Sequence, residues 1–199
     1  SDDPNIEFRQ GAFWKGDEKV LEWAELVDFC YYEGKNLGAS GWTVPPDDSD
    51  RHGVTPVSAL VDVEVDEITG EIQVLQVINC HDIGKILHYP SARGQMIGGA
   101  LMNLGSMLSE EFLMKNGRAI TPSFAEYLIP TAMDIPGKNL ALFIENYGED
   151  CPFGAKGIGE HPLYATAPAF LNAVYDAVGV LMTETPVTPE RLLRKLNKF

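Results

Sequence analysis

Alternating apolar and polar residues predict a β-hairpin near the middle of the chain. From Val57 to Val65 an apolar residue falls at every second position, which is typical of a strand with one buried face. Residues 66–71 are rich in turn formers, and Gly70 among them can adopt a left-handed conformation. A second apolar run follows from Ile72 to Ile78. We therefore predict an antiparallel pair of strands joined by a short turn.

Helical spacing of apolar residues predicts several helices. A short amphipathic helix is expected over Val20–Tyr32, a longer one over 91–112 and a third over 166–178. Ser91 is a candidate cap for the second of these, since a serine oxygen can accept a free N–H of the first turn. A short helix is also predicted at the C-terminal end, with Thr188 as its cap.

The remaining segments predict loops and one more strand. Residues 42–50 contain two prolines and three aspartates and indicate an exposed acidic loop. Asn116-Gly117 is a turn signal, residues 121–134 predict an irregular crossing, and Leu140–Tyr147 predicts a strand. Gly98 and Gly99 both fall inside the second helix, where each glycine costs about 1 kcal/mol relative to alanine. Close packing would explain them.

These elements together predict an α+β fold. The hairpin at 57–79 and the strand at 139–147 would form a mixed sheet, and the helices at 91–112 and 166–178 would pack on one face of it as a second layer. The order of the strands does not follow from the pattern.

Composition narrows the possible partners and the compartment. The chain has 29 acidic and 15 basic residues, a formal net charge of −14, and such a surface repels nucleic-acid phosphates and anionic lipids. No apolar run approaches the ~20 residues of a membrane-spanning helix. Cys30, Cys80 and Cys151 are widely spaced and odd in number, which favours free thiols. We therefore expect neither nucleic acid nor membrane as a partner, and a cytoplasmic location.

A glycine-rich stretch at 152–163 is the strongest candidate for chemistry. It contains three glycines around Lys156 and leads to Glu160, just before the third predicted helix. Glycine lets a backbone approach a bulky group closely. From the residue types alone, Glu160 is either a solvated charge favoured by the helix dipole or a catalytic carboxylate.

Two further groups of polar residues also allow two interpretations. Gln95 lies in the first turns of the second helix and is either a solvated or capping residue or a ligand contact. Cys80, His81, Asp82 and His88 are close in sequence, which suggests a metal site, but their spacing matches no zinc template. The alternative to a metal site is that these side chains are buried locally and have their hydrogen bonds satisfied by neighbouring groups.

The glycine-rich stretch resembles a signature of the xanthine dehydrogenase and aldehyde oxidase family. Gly-Ala-Lys-Gly-Ile-Gly-Glu at 154–160, followed by Pro-Leu and Ala-Pro-Ala, is similar to the C-terminal motif of the family's large molybdenum subunit. Gly-Gln-x-x-Gly-Gly at 94–99 and the segment 124–132 are also similar to that subunit. His161 departs from the family pattern, which commonly has proline after the glutamate; histidine adds a titratable group there.

The resemblance implies a molybdenum cofactor and assigns roles to particular residues. The cofactor would be molybdenum with molybdopterin, in its mononucleotide or dinucleotide form, and the protein would donate no metal ligand. The enzyme would hydroxylate a purine-like N-heterocycle or an aldehyde with oxygen from water. Glu160 would be the catalytic base, and the implied cofactor contacts are Gln95, Lys156, Gly157 and Gly159. For Lys156 a structural ion pair is an equal alternative.

The resemblance covers about residues 57–193 and implies part of a longer subunit. Residues 1–56 would be the N-terminal segment of a truncated lobe, and 57–199 the C-terminal molybdopterin-binding lobe. The implied partners are the remaining molybdenum-binding lobe and iron–sulfur and FAD domains or subunits, within an oligomeric enzyme. The isolated chain is expected to be inactive. The alternative function is a cofactor-free binding or assembly domain that shares the fold.

Overall fold

The computed structural model describes residues 3–38, 40–41, 54–148 and 151–198. The chain divides into two compact units, residues 1–45 and 46–199. The acidic segment at 42–50, predicted as an exposed loop, lies outside the described residues. In the part of the chain that the structure describes, no helix is both long and apolar enough to cross a bilayer.

The first unit is a three-stranded meander followed by a helix. Its elements, each antiparallel to its sheet neighbour, are β1 (Ile6–Arg9), β2 (Ala12–Lys15) and β3 (Glu18–Glu22), and then α1 (Trp23–Tyr32). The helix begins at Trp23, not at the predicted Val20, because Glu18–Glu22 pairs with β2. Reciprocal hydrogen bonds between Glu22 and Glu25 form a capping box at this start.

The second unit contains the predicted mixed sheet. The strands of this unit are β4 (Val57–Val65), β5 (Ile72–Asp82), β6 (Met114–Lys115), β7 (Arg118–Ala119) and β8 (Lys138–Ile144). In the order β4-β5-β8, β5 is antiparallel to β4 and parallel to β8. The hairpin is thus confirmed. Strand β5 extends four residues beyond the predicted Ile78, because its ladder with β8 continues to the pair Asp82 and Ile144.

Three helices complete this unit: α2 (Tyr89–Leu108), α3 (His161–Val178) and α4 (Pro189–Lys195). Ser91 is not the cap of α2: the cap is His88, whose side chain accepts from the Ser91 N–H, and the helix ends at Leu108 instead of 112. The start of α3 is five residues earlier than predicted, with Glu160 as its N-cap residue. The predicted cap of α4 is confirmed, since the Thr188 side chain accepts from Arg191 N.

The core lies between one face of the β4-β5-β8 sheet and the helices. Val61 and Val77 are paired across the sheet and are buried against a cluster that includes Leu104 of α2 and Phe170 of α3. Residues on the opposite sheet face remain exposed in this chain, among them Leu60, Leu142 and Ile144. The α+β architecture with helices on one face is therefore confirmed.

Candidate functional site

Backbone hydrogen bonds fasten the glycine-rich loop to the end of β5. Lys85 N donates to Gly154 O at 3.0 Å, and Lys156 N donates to Ile83 O at 2.8 Å. Between them Gly84 forms a bridge with Ala155 and has φ +61°. A Cβ on Gly84 would lie 2.1 Å from Gly154 O, so a side chain would overlap the loop backbone. Only glycine fits at this position.

A buried ion pair reinforces the same connection. Lys156 Nζ lies 2.8 Å from Asp82 Oδ2, both side chains are 6% exposed, and Nζ also donates to Val54 O at 3.1 Å. The other carboxylate oxygen of Asp82 accepts from Gly84 N and Asn146 N. Burial favours a higher pKa for Asp82, but the bond from Lys156, aided by the two N–H donors, holds that pKa below its usual value. The ion pair proposed as an alternative for Lys156 is therefore present.

The other candidate residues of the loop lie at its exposed end. Gly157, Gly159 and Glu160 are exposed, and the Glu160 side chain makes no capping hydrogen bond. Glu160 precedes the first turn of α3, an 18-residue helix, whose N-terminus is a favourable place for a negative charge. Gly157 lies directly beneath the His161 ring, since a Cβ there would be 3.0 Å from His161 Cε1. The loop thus presents a carboxylate beside an exposed glycine backbone.

The crossing of α2 and α3 brings Gln95 to this loop. Gly99 of α2 is buried, and a Cβ on it would lie 2.8 Å from the Pro162 Cβ. Gln95 is exposed and lies four residues, about 6 Å along the helix axis, before Gly99 on the same side of α2. Because Pro162 is two residues after Glu160, Gln95 and Glu160 each lie within about one helical turn of the contact between Gly99 and Pro162.

Close packing explains Gly99 but not the neighbouring helical glycines. Gly94 and Gly98 are exposed, and a Cβ on either would have no atom within 4 Å. Both lie on the solvent-facing side of α2 next to Gln95. Since glycine in a helix costs about 1 kcal/mol relative to alanine, these two weaken α2 without improving the packing of the described residues. They leave a flat strip of backbone beside the amide of Gln95.

Three buried polar residues lie behind the loop: sequence reasoning had named His81 as a candidate metal ligand or a locally buried residue, but it missed Asn79 and Thr166. Asn79 and His81 lie on the core face of β5, in phase with Val77, and are 1% and 0% exposed. Thr166 of α3 is also buried, with its hydroxyl 3.3 Å from Asn79 Oδ1 and 2.8 Å from Pro162 O. Polar residues that alternate in phase with buried apolar ones were the signal in the sequence.

The histidines and cysteine near the end of β5 do not form a metal site with their neighbours. The described residues contain no group of three or more histidine, cysteine, aspartate or glutamate side chains able to hold a metal ion. Asp82 pairs with Lys156, and His88 caps α2. The interpretation as locally buried residues therefore holds for Asp82, whereas His81 is buried without a protein hydrogen-bond partner among the described residues.

The burial of His81 predicts a pH-dependent stability. Burial, and secondarily the charge of His161, lowers the pKa of His81 from 6.5 to about 4. Between these values the unfolded chain binds a proton that the folded chain does not, so the free energy of unfolding falls as the pH is lowered from 6.5 to 4. We expect a loss of roughly 3 kcal/mol over this window. Urea unfolding at several pH values measures it.

The variant His81→Phe is the control for this pH dependence. It removes the titrating group but keeps a planar ring, so its unfolding free energy should change less over the same pH window. An equal slope in the native chain and the variant would show that His81 is not the group responsible.

A family model and two related proteins match this chain over most of its length. Residues 1–136 match the family model described as molybdopterin cofactor-binding domain. The chain is 37% identical over 153 residues to the 6-hydroxypseudooxynicotine dehydrogenase complex subunit gamma of Paenarthrobacter nicotinovorans, covering 74% of this chain and 19% of that protein. It is 35% identical over 186 residues to the putative xanthine dehydrogenase molybdenum-binding subunit XdhA of Escherichia coli, covering 91% and 24%.

A solved structure shows the same fold. Quinoline 2-oxidoreductase from Pseudomonas putida 86 superposes with a TM-score of 0.80 at 25% sequence identity, over 98% of this chain and 26% of that protein chain. The chain spans about a fifth to a quarter of the length of the curated relatives described above, 19% and 24%.

Proposed function

We propose that this chain forms one side of the cofactor pocket of a molybdenum hydroxylase. The chain belongs to the molybdopterin cofactor-binding domain family. Its substrate would be a purine-like N-heterocycle or an aldehyde. The names of its relatives, which include a putative xanthine dehydrogenase subunit, an aldehyde oxidoreductase subunit and quinoline 2-oxidoreductase, support both substrate classes.

The surface at the crossing of α2 and α3 is the observation that carries this proposal. Gly94 and Gly98 leave a strip of helix without side chains, and the exposed amide of Gln95 beside it can both donate and accept hydrogen bonds. Across the crossing lie the exposed backbone of Gly157 and Gly159 and the carboxylate of Glu160. A flat, polar ring system such as a pterin fits these features, since it offers a face to the glycines and an edge to the amide.

When bound, the molybdenum–pterin group would supply the oxidising chemistry of a hydroxylation that takes its oxygen from water. Glu160 would act as general base and accept a proton on a carboxylate oxygen, which requires its charged form. The pterin would hold the metal, and the protein would donate no ligand to it.

Lys156 would contribute from beneath the loop. Its ammonium is held by Asp82 and Val54 O, so it would support the cofactor site by fixing residues 154–160 against the end of β5. Gly84 allows the two segments to approach closely enough for this contact. The precise placement of Gly157 and Glu160 would thus depend on a side chain that need not itself contact the cofactor.

The partners and location follow from the same proposal. Residues 1–56 and 57–199 would belong to two lobes of a longer subunit, whose remaining molybdenum-binding lobe completes the pocket. Electrons would pass to iron–sulfur and FAD domains or subunits in an oligomeric cytoplasmic enzyme, and one relative is itself a subunit of a dehydrogenase complex. The net charge of −14 makes nucleic acid and membrane poor partners.

A cofactor-free assembly domain is the alternative. The exposed apolar face of the β4-β5-β8 sheet favours it, because Leu60, Leu142 and Ile144 are about half exposed, at 54%, 50% and 53%. Such a domain would not need Glu160 or the glycine strip next to Gln95. Substitution of those residues distinguishes the two functions.

Gly98→Ala is expected to raise the stability of α2 and to lower the cofactor content of the subunit. The added methyl group meets open space, so α2 should become more stable by about 1 kcal/mol. The same methyl group would occupy the strip that we propose faces the pterin, so we expect the full-length subunit to lose most of its molybdenum and pterin. Thermal unfolding and elemental and pterin analysis of the purified subunit measure the two effects.

Gly137→Ala is the matched control, since Gly137 is also exposed with no atom within 4 Å of a Cβ. It should leave the cofactor content at the native level. A Gly98→Ala subunit that retains full molybdenum and pterin would argue against cofactor binding at this surface.

A further inference from the structure

Polar side chains meet in the core between the C-terminal end of β5 and the first turns of α3. Asn79 and His81 project from the same face of β5, and Asn79 contacts Thr166 of α3. The Thr166 hydroxyl also lies 2.8 Å from Pro162 O, so the start of α3, where His161 directly precedes Pro162, is packed against this group. The group is therefore formed by two elements that the fold packs together, directly behind the loop that carries Glu160.

Several of these buried atoms have no protein hydrogen-bond partner within the described ranges. They are Asn79 Nδ2, both ring nitrogens of His81, and His161 Nδ1. The neighbours of His81 across the sheet are Val57 and Phe143, whose side chains contain no polar atoms. Because buried polar groups in folded proteins are nearly always hydrogen-bonded, to ordered water where no protein group is available, these atoms indicate a bound ligand.

The chemistry of the orphaned atoms selects the ligand. A neutral imidazole has one donor and one acceptor nitrogen, and the amide Nδ2 only donates. Burial keeps His81 uncharged near neutral pH, since its pKa is about 4. An anion could not bond to the acceptor nitrogen of a neutral imidazole, and the described residues contain no group of three or more side chains able to hold a metal ion. Water donates and accepts, and is small enough for a buried site.

We propose that Asn79, His81 and His161 hold a buried cluster of ordered water that positions the turn carrying Glu160. His161 directly follows Glu160, and its ring lies against Gly157. Water bonded to His161 Nδ1 fixes the orientation of this ring, and the contact with Gly157 then restrains the backbone from 157 to 160. His81 and His161 are positioning residues. Their consequence for catalysis rests on the proposed function, whereas the water cluster does not.

Crystal structures and amide hydrogen exchange of the full-length subunit test this proposal. In the native protein we expect ordered water within about 2.7–3.2 Å of ring nitrogens of both His81 and His161. His81→Phe should expel that water, and the amides of residues 157–161 should then exchange about tenfold faster, since the turn opens more easily. His88→Phe is the matched control: it removes the cap of α2, outside the cluster, and should leave both the water and the exchange of 157–161 unchanged.

Other outcomes would overturn the proposal. These are a direct hydrogen bond between the two imidazoles, a metal ion between them, no water in the native site, or unchanged exchange of 157–161 in His81→Phe. If His81→Phe does not accumulate, His161→Phe takes its place, since it removes the ring nitrogens at the partly exposed start of α3. The same loss of ordered water and faster exchange of residues 157–161 are then expected, and unchanged exchange overturns the proposal. Neither measurement depends on turnover, so failure of the proposed enzymatic function would leave the water and exchange results intact.

Discussion

Replacement of Glu160 by glutamine is expected to lower kcat of the full-length subunit by about 10²–10⁴-fold, the usual contribution of a general base. Glutamine keeps the size of the side chain but cannot accept the proton. Because the Glu160 side chain is exposed and makes no capping hydrogen bond, the substitution should leave the molybdenum content unchanged and should cost less than about 1 kcal/mol of stability, through the lost charge at the helix N-terminus. Steady-state kinetics with heterocycle and aldehyde substrates, together with metal analysis, measure these quantities.

Glu71→Gln is the control for this experiment, since Glu71 is an exposed glutamate in the turn of the β4-β5 hairpin. It should leave kcat at the native value. A Glu160→Gln subunit that retains its cofactor and native activity would exclude Glu160 as the base. If activity and cofactor are lost together, Glu160 instead contributes to holding the cofactor.

Replacement of Lys156 by methionine is expected to destabilise the chain by about 3–5 kcal/mol, because it leaves the buried carboxylate of Asp82 without its cation. Lys198→Met is the matched control. It breaks an ion pair with Glu67 whose side chains are 40% and 55% exposed, and it should cost less than about 1 kcal/mol. Urea unfolding at pH 7 measures both values.

The double variant Lys156→Met/Asp82→Asn tests the origin of this cost. Asparagine is uncharged and can still accept the N–H bonds from Gly84 and Asn146, so the double variant should be more stable than Lys156→Met alone.

The stabilisation by the ion pair between Lys156 and Asp82 depends on pH in a defined direction. The pKa of Asp82 is lowered in the folded chain, so the ion pair stabilises above the ordinary value of 3.8, and this stabilisation is lost as the pH falls through the folded value. Equal stability of Lys156→Met and the native chain would contradict the account.

Much of the fold was predictable because its signals are local. Period-two alternation identified the β4-β5 hairpin, and helical spacing identified α2 and α3. The short strands β1 to β3 were missed, since four or five residues each give too little periodicity to recognise. The start of α2 was misplaced because histidine is not among the usual capping residues, although His88 accepts from Ser91 N.

The site was predictable only in part, and chiefly from the resemblance. That resemblance, to the molybdenum-binding subunit of the xanthine dehydrogenase and aldehyde oxidase family, is confirmed by the family model and the relatives. The contact of Gly99 with Pro162, which brings Gln95 towards Glu160, depends on how α2 and α3 pack and has no local signal. The pairing of Lys156 with Asp82 joins residues 74 positions apart, so spacing could not reveal it.

The molybdenum and pterin content of the purified full-length subunit tests the central claim most directly. If the surface formed by Gln95, the glycine strip of α2 and the Glu160 loop belongs to a cofactor pocket, the folded subunit should contain molybdenum and pterin in equal, near-stoichiometric amounts. A folded subunit produced in cells that make the cofactor, yet containing neither molybdenum nor pterin, would contradict the account and favour the cofactor-free assembly domain.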